Sequence, residues 1–348
     1  MSGSVILLPG IMGSALRSPG SSPVDLWTSD LKQNYAILIK NPAILKYNDT
    51  LPPDTPVEII RTYRIHLFHT YGVFGRVMDF VQNYCIDKNL ALIKFPYDWR
   101  QSLVNTAKQL GAELVNKSTP FTFIAHSMGG LVIRVALADG YVQPNHVARI
   151  IQIASPLGGS ARAFRALYHD FGMPFLSFLT VWLNWRYGDT ALKLLQDTMK
   201  TFDSIYELFP PEQWQFLNTG IGGWISPLGQ VDPILLAKHK NRVRIVHDKV
   251  RQSISILKRS TVYVHTIRSD GLDTDTKYNV FVNKEKELYE FHPPIPYEEV
   301  AGDARVTRDS STYSGMDKVD DIRDVTAVKH AKMCDSYQVV ENLKRILP

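Results

Sequence analysis

The stretch FTFIAHSMGGLVIRVALA, residues 121–138, decides the fold. It begins with an apolar run typical of a buried strand, and Leu131 to Ala138 has the composition of a buried helix. Between them the chain must turn sharply at Ser127. Such a turn presents a serine hydroxyl free of the sheet and needs small residues two positions before and after it, here Ala125 and Gly129. The stretch therefore predicts a strand, a tight turn and a helix, with Ser127 exposed at the turn.

Ser127 is a candidate nucleophile, because a serine presented in this way attacks a carbonyl once a base accepts its proton. The tetrahedral intermediate of such an attack needs two N–H donors directed at its oxyanion. The amide of Met128, at the start of the predicted helix, is one candidate. The second is the amide of Ile11, in the glycine-bearing segment LPGIMG at residues 8–13, directly after an apolar run.

The rest of the chain alternates apolar runs with helical patterns. This rhythm predicts the α/β class, with a mostly parallel central sheet and helices on both faces. The predicted strands are Val5 to Leu8, Leu90 to Phe95, Phe121 to Ala125, Arg149 to Ala154 and Thr261 to Ile267. The length of 348 residues suits a single domain with insertions.

Two segments interrupt the alternation. Residues of about 17–56 are rich in Ser, Pro, Asn and Asp and predict an irregular excursion, whereas about 160–257 predicts a helical cap or lid. An aromatic stripe at 171–185 is too short and interrupted to span a bilayer. The stripe is expected to pack in a core. If it lies above an active site, it is instead expected to line an acyl-chain groove or to contact lipid. The candidate substrate or lid residues are Trp27, Phe175, Phe178 and Trp182.

A general base for Ser127 is expected late in the chain, since this class of fold places nucleophile, acid and histidine in that order. Three histidines follow the predicted cap: His265, His292 and His330. His330 is favoured because it lies in a loop before the final helix. Asp303, in a turn-like segment, leads as the acid, and Asp270, directly after a strand, is the main alternative. His126, beside the nucleophile, is expected to be structural.

Composition limits the partners. The formal charge is +5, but the basic residues are scattered, so no nucleic-acid partner is predicted. The two cysteines, Cys85 and Cys334, lie far apart and favour a reducing compartment. No metal-ligand spacing or phosphate loop is present in the sequence, so neither metal nor cofactor is expected. The N-terminus lacks the pattern of a signal peptide, which favours a cytoplasmic location with peripheral membrane contact.

Seven motifs resemble those of the lecithin–cholesterol acyltransferase family of α/β-hydrolases. They occur in family order over nearly the whole chain, and FPYDWR is the most discriminating, since general lipases lack it. The motifs are VILLPGIMGSAL at 5–16, FPYDWR at 95–100, AHSMGG at 125–130, SPLGGS at 155–160, SIYELFP at 204–210, GDARV at 302–306 and KHAKM at 329–333.

The resemblance implies a role for each candidate residue and favours Asp303 over Asp270. It implies Ser127 as nucleophile, Asp303 as acid, His330 as base, and Ile11 and Met128 as oxyanion donors. It also implies that the residues 98–100 are structural supports. The chain departs from the family pattern at Ala125, where glycine is usual, and at GDARV, where GDGTV is usual. The lid disulfide of secreted members, near residue 27, has no counterpart here.

The expected function is that of a serine hydrolase or acyltransferase. It would cleave an ester of an acyl lipid, a glycerophospholipid by resemblance, through an acyl-enzyme on Ser127 and pass the acyl group to water or an alcohol. The cap would make transient contact with a membrane surface. A carboxylesterase or amidase acting on a soluble small molecule is one alternative. A hydrolase-fold binding module without activity is the other.

Overall fold

A computed structural model describes most of the chain. The described residues are 3–48, 55–66, 69–168, 194, 196–211, 217–218, 224–225, 233–283, 288–291 and 298–348. Phe175, Phe178, Trp182 and His292 lie outside them.

The described residues contain strands and helices in alternation. The strands are β1 Ser4–Leu8, β2 Ser14–Arg17, β3 Asp25–Trp27, β4 Thr55–Ile59, β5 Thr62–His66, β6 His69–Gly72, β7 Ala91–Lys94, β8 Phe121–His126, β9 Val147–Ile153, β10 Leu217–Asn218, β11 Trp224–Ile225, β12 Tyr263–Asp270, β13 Leu272–Asn283, β14 Leu288–Phe291, β15 Glu298–Gly302 and β16 Asp321–Thr326. The helices are α1 Leu31–Lys40, α2 Gly75–Asp87, α3 Leu103–Leu114, α4 Met128–Ala138, α5 Ala161–Tyr168, α6 Asp203–Glu207, α7 Pro233–Lys258, α8 Arg308–Ser311 and α9 Tyr337–Ile346. Short 3₁₀ turns lie at Pro42–Leu45, Pro144–His146 and His330–Asp335.

A six-stranded sheet in the order β16-β12-β9-β8-β1-β7 forms the centre of the protein. Every neighbouring pair in it is parallel. The central strands are apolar along most of their length, as expected when both faces of a parallel sheet are covered. The predicted fold class is therefore confirmed, and the carboxyl ends of the strands meet at one edge, where ligands bind in open α/β sheets.

Side chains of the sheet alternate between two apolar layers. Ile6 and Leu8 of β1 point into one layer, with α3, α4 and α7, and Val5 and Leu7 point into the other, with α2 and α9. This alternation follows from the two-residue period of a strand. Helices thus cover both faces of the sheet, as the sequence predicts.

The predicted cap at about 160–257 includes a helix that packs on the central sheet. Helix α7 lies almost entirely within the range 160–257, and one apolar face of it is buried in the main core together with α4. The buried residues of this face are Val243, Val246, Val250, Ile254 and Leu257. The apolar residues of α7 have the spacing of an amphipathic helix. A helix that covers the sheet and a helix of a cap have this same pattern, so the sequence does not distinguish them. Within the described residues, no helix is long and apolar enough to cross a membrane.

Two segments contain more regular structure than the sequence indicates. The excursion at 17–56 holds β3 and α1, and β3, β2 and β4 form a small antiparallel sheet. After the central strand β12, the chain continues into β13, which pairs with β15. The first residues of β13, LDTDTK, lack an apolar run, because their strand is stabilised by pairing and not by two-sided burial.

The FPYDWR segment after β7 contains a buried ion pair. Nε and Nη2 of Arg100 donate to the two carboxylate oxygens of Asp98 at 2.9 and 2.7 Å. Nη1 of Arg100 also donates to the carbonyl oxygen of Leu45 at 3.1 Å. Both charged side chains are 1% exposed. This pair ties the carboxyl end of β7 to the excursion, in agreement with the structural role that the resemblance implies.

Asp98→Asn is expected to lower the free energy of unfolding by about 3–5 kcal/mol, because it leaves the Arg100 charge buried without its counter-ion. Urea denaturation followed by circular dichroism measures the change. The exposed pair of Arg61 and Asp79 supplies the control, and Asp79→Asn should cost about 1 kcal/mol or less. Equal losses in the two variants would contradict this account.

Candidate active site

Ser127 lies at the tight turn between β8 and α4. Its backbone has φ 53° and ψ −125°, a conformation that non-glycine residues rarely adopt. The glycines that follow are required by crowding. A Cβ on Gly129 would lie 2.7 Å from the carbonyl oxygen of Pro9, and one on Gly130 would lie 2.2 Å from Oγ of Ser155. The close packing of α4 on the sheet thus holds the Ser127 hydroxyl at the sheet edge.

The structure brings Ser127, His330 and Asp303 into one hydrogen-bonded chain. Nε2 of His330 lies 2.8 Å from Oγ of Ser127, and Nδ1 lies 2.7 Å from Oδ2 of Asp303. All three residues are buried. The distances are those of hydrogen bonds that transfer a proton from a nucleophile to a base and orient that base.

Asp303 is fixed by its own surroundings. Its Oδ1 accepts hydrogen bonds from the backbone N–H groups of Arg305 at 2.9 Å and Val306 at 2.7 Å. Its carbonyl oxygen accepts from the N–H of His330 at 2.9 Å. The carboxylate and the imidazole are therefore held in register by both side-chain and backbone contacts.

The alternative acid and base lie elsewhere. Asp270 forms an ion pair with Arg308 at 3.2 Å, and His265 lies beside Asp321 at 3.6 Å in the outer part of the sheet. Neither residue borders the cavities next to Ser127.

The two candidate oxyanion donors flank Ser127. Met128 is the first residue of α4, and Ile11 lies in the turn after β1, where it borders both cavities next to Ser127. Within the part of the chain that the structure describes, neither N–H donates a hydrogen bond. A Cβ on Gly10 would approach Cβ of Ser127 to 2.8 Å, so the loop lies directly against the serine. A helix N-terminus also favours negative charge.

The loop at residues 9–14, called here the glycine loop, is held from behind by the FPYDWR segment. The hydroxyl of Tyr97 donates to the carbonyl oxygen of Pro9 at 2.7 Å, and Nε1 of Trp99 donates to the carbonyl oxygen of Ser14 at 3.0 Å. The N–H of Tyr97 donates to Oγ of Ser14 at 3.1 Å. These buried contacts fix both ends of the loop that carries Ile11.

Trp27 supports the middle of the same loop. Its Nε1 donates to the hydroxyl of Tyr63 at 2.8 Å, and that hydroxyl donates to the carbonyl oxygen of Met12 at 2.6 Å. The indole is 1% exposed and packs edge-on against Trp99 with ring centroids 5.6 Å apart. Met12 and Tyr63 line a cavity, whereas Trp27 lies behind them. The sequence does not reveal Tyr63 in this role, because the contact joins residues 51 positions apart.

Two mainly apolar cavities meet at Ser127. The loop-side cavity and the cap-side cavity each hold about 80 Å³, and both are partly open to solvent. Residues bordering both cavities are Ile11, Met12, Ser127, Arg305 and His330. Residues of the loop-side cavity alone include Leu31, Tyr63, Tyr71, Val73 and Phe74. Residues of the cap-side cavity alone include Ala163, Ala166, Met199, Ile205 and Leu208.

His126 lies next to the catalytic candidates but is not part of the hydrogen-bonded series of Ser127, His330 and Asp303. Its Nε2 is 3.2 Å from the carbonyl oxygen of His330, and the two rings lie 5.0 Å apart. Burial lowers the pKa of His126 to about 3, and the nearby charges of His330 and Arg305 add to this lowering. A neutral His126 donates its proton to that carbonyl oxygen, in keeping with the structural role that the sequence predicts. Among the described residues, no cluster of His, Cys, Asp and Glu side chains could hold a metal ion.

Comparison with solved structures supports the fold. A chain of the Tle4-Tli4 complex is 12% identical, with a TM-score of 0.57 over 97% of this chain and 96% of that chain. The mature lipase BlEst2 of Bacillus licheniformis is 10% identical, with a TM-score of 0.41 over 99% of this chain and 92% of that chain. A monoacylglycerol lipase of Paleococcus ferrophilus is 11% identical, with a TM-score of 0.36 over 99% and 94%. The fold is that of an α/β-hydrolase.

Sequence comparison finds a match to one family model. Residues 57–220 match the sequence model of the family described as Lecithin:cholesterol acyltransferase. The match includes the FPYDWR segment and Ser127, and it confirms the predicted resemblance to this family. Among curated proteins, no sequence matches the chain significantly. Family and fold together support an ester-hydrolysing α/β-hydrolase.

Tyr97→Phe is expected to lower kcat on a p-nitrophenyl ester about tenfold with little change in KM. The variant leaves the carbonyl oxygen of Pro9 without its donor and loosens the loop that carries Ile11, and oxyanion donors act on the transition state. Steady-state kinetics measure the effect, with the exposed Tyr337→Phe as control. A higher KM at unchanged kcat would contradict the assignment.

The stability of the protein should depend on the protonation of His126. Between about pH 6.5 and pH 3 the unfolded state holds a proton on this residue that the folded state lacks, so stability falls as the pH falls through this window. The contribution is at most about 1.4 kcal/mol per pH unit. Urea denaturation from pH 7 to pH 4 should show a shallower pH dependence for His126→Asn than for the wild type. Parallel curves would refute this.

Proposed function

We propose that the protein is a serine esterase or acyltransferase that acts on acyl lipids, with a glycerophospholipid as its substrate. The observation that carries the proposal is the hydrogen-bonded chain of Ser127, His330 and Asp303 at the junction of two apolar cavities. The match to an acyltransferase family supports the same chemistry.

In the proposed first half-reaction, Oγ of Ser127 attacks the ester carbonyl carbon while Nε2 of His330 accepts the hydroxyl proton. Asp303 holds Nδ1–H of the imidazole and stabilises the imidazolium that forms. The N–H groups of Ile11 and Met128 stabilise the oxyanion. The intermediate collapses when the imidazolium donates its proton to the leaving alkoxide, which leaves the acyl group on Ser127.

In the proposed second half-reaction, His330 accepts a proton from water or from an alcohol as that oxygen attacks the acyl-enzyme. The imidazolium then returns the proton to Oγ of Ser127. The products are a fatty acid when water attacks and a new ester when an alcohol attacks. Either acceptor regenerates the same free enzyme.

The shape of the site supports a lipid substrate. Two mainly apolar cavities on either side of Ser127 suit an ester that has an acyl chain on one side and, on the other, an alcohol that carries a further acyl chain. The aromatic stripe at 171–185, with Phe175, Phe178 and Trp182, is proposed to contact the membrane surface from which the lipid is taken. This last part of the proposal rests on the sequence alone.

A fluorophosphonate probe is expected to label Ser127 in the folded wild-type protein. Ser127→Ala should abolish labelling and lower ester cleavage at least a thousandfold, because the nucleophile is lost. In-gel fluorescence and a p-nitrophenyl ester assay measure the two effects, with the exposed Ser255→Ala as control. Absence of labelling in the folded wild type would contradict the proposal and favour a binding module.

The substrate class is tested by comparing phosphatidylcholine vesicles with short-chain p-nitrophenyl esters, each with and without an added long-chain alcohol. The proposal expects phospholipid cleavage, and mass spectrometry of the products separates fatty acid from transferred ester. Cleavage of the short soluble esters alone would favour a small-molecule carboxylesterase. Cleavage of matched amides would favour an amidase.

A further inference from the structure

Arg305 stands where the chain departs from the family pattern, since GDARV replaces GDGTV. The residue borders both the loop-side and the cap-side cavity, together with Ser127 and His330. It is partly exposed, so its charge is accessible from the cavities. A cation at this position faces whatever part of a substrate lies next to the reacting ester.

The backbone of Arg305 is fixed by the candidate catalytic machinery. Its N–H donates to Oδ1 of Asp303 at 2.9 Å, and its carbonyl oxygen accepts from Oγ of Ser160 at 2.5 Å. The preceding Ala304 has a φ of 71°, which bends the chain sharply at this point. The position of Arg305 relative to His330 is therefore set by the same carboxylate that orients the imidazole.

The charged side chains that line the two cavities among the described residues are basic. Arg305 and Arg162 border them, and no Asp or Glu is among the described residues that line either cavity. Arg162 forms an ion pair with Asp275 at 2.8 Å, outside these cavities. The field of Arg305 reaches across the loop-side cavity. It adds to the burial that lowers the pKa of His126 and opposes the burial that raises the pKa of Tyr71.

We propose that Arg305 binds the phosphodiester of a glycerophospholipid and thereby selects phospholipids over neutral glycerides. A guanidinium is planar and donates two parallel hydrogen bonds to phosphate oxygens. In a glycerophospholipid the scissile ester and the phosphate are attached to the same glycerol, so an ester at Ser127 places the phosphate near the wall that Arg305 forms. This inference rests on the proposed function and adds a residue that determines its specificity.

The main alternative is that Arg305 stabilises the reaction of every ester through its positive charge near the oxyanion. The two roles differ in their dependence on the substrate. A phosphate-binding residue changes the ratio of phospholipid to neutral-lipid cleavage, whereas a general electrostatic effect lowers both rates by the same factor.

The test uses two substrates with the same octanoyl chains, a phosphatidylglycerol and a diacylglycerol, in micelles of a neutral detergent. Arg305→Gln should lower the ratio of their kcat/KM values at least tenfold, as expected for the loss of a charged hydrogen bond. Arg305→Lys should lower the ratio less, because it retains the positive charge but not the two parallel N–H donors of the guanidinium. Arg345→Gln, which removes an exposed charge on α9, should leave the ratio unchanged.

Equal losses on both substrates would overturn the inference while leaving the proposed function intact. The same holds if inorganic phosphate inhibits diacylglycerol cleavage through Arg305 but the substrate ratio does not change, since the residue would then bind free anions. A wild-type protein that cleaves neither ester would instead overturn the proposed function. Labelling of Ser127 by a fluorophosphonate shows that each variant retains a folded site.

Discussion

The carboxylate of Asp303 uses both of its oxygens and joins two separate segments. One oxygen contacts Nδ1 of His330, and the other accepts two backbone N–H groups of the turn at 305–306. The carbonyl oxygen of the same residue accepts the N–H of His330. A charge this deeply buried is tolerated only because each acceptor is satisfied. The position of the imidazole next to Ser127 depends on this arrangement.

The FPYDWR segment affects the site indirectly, through the glycine loop. Tyr97 and Trp99 bind carbonyl oxygens of the glycine loop, while the ion pair of Asp98 and Arg100 anchors the segment itself. The side chains thus form a layer behind the loop and do not occupy the N–H of Ile11, which lies on the side of Ser127. A motif can therefore be typical of a family without bordering the cavities at Ser127, because its side chains set the position of the loop that does.

The sequence predicts those features that depend on short stretches of chain. The turn at Ser127 is recognisable because close packing there admits only small residues, and the parallel sheet is recognisable from buried apolar runs. The acid is harder to predict, since the turn-like segment of Asp303 favours it only moderately over Asp270, which directly follows a strand, and the family resemblance strengthens the choice. The support of Met12 by Tyr63 and Trp27 escapes prediction because it joins distant segments. The small antiparallel sheets escape because their strands are short or polar, and α7 because a covering helix and a cap helix share one pattern.

The two cavities share a single wall at Ser127, and in the proposed two-step reaction this wall sets the order in which the parts of the substrate leave and arrive. Once an acyl chain occupies one cavity and is bonded to the serine, the alcohol half of the substrate leaves by the other, and the next acceptor must arrive through the space just vacated. Water is small enough to enter such a space whatever its shape, whereas an alcohol enters only if its apolar tail fits the cavity. Under the proposed mechanism, the balance between hydrolysis and transfer therefore depends on how well the acceptor fills the emptied cavity, so that the choice of product depends on cavity volume as well as on reactivity.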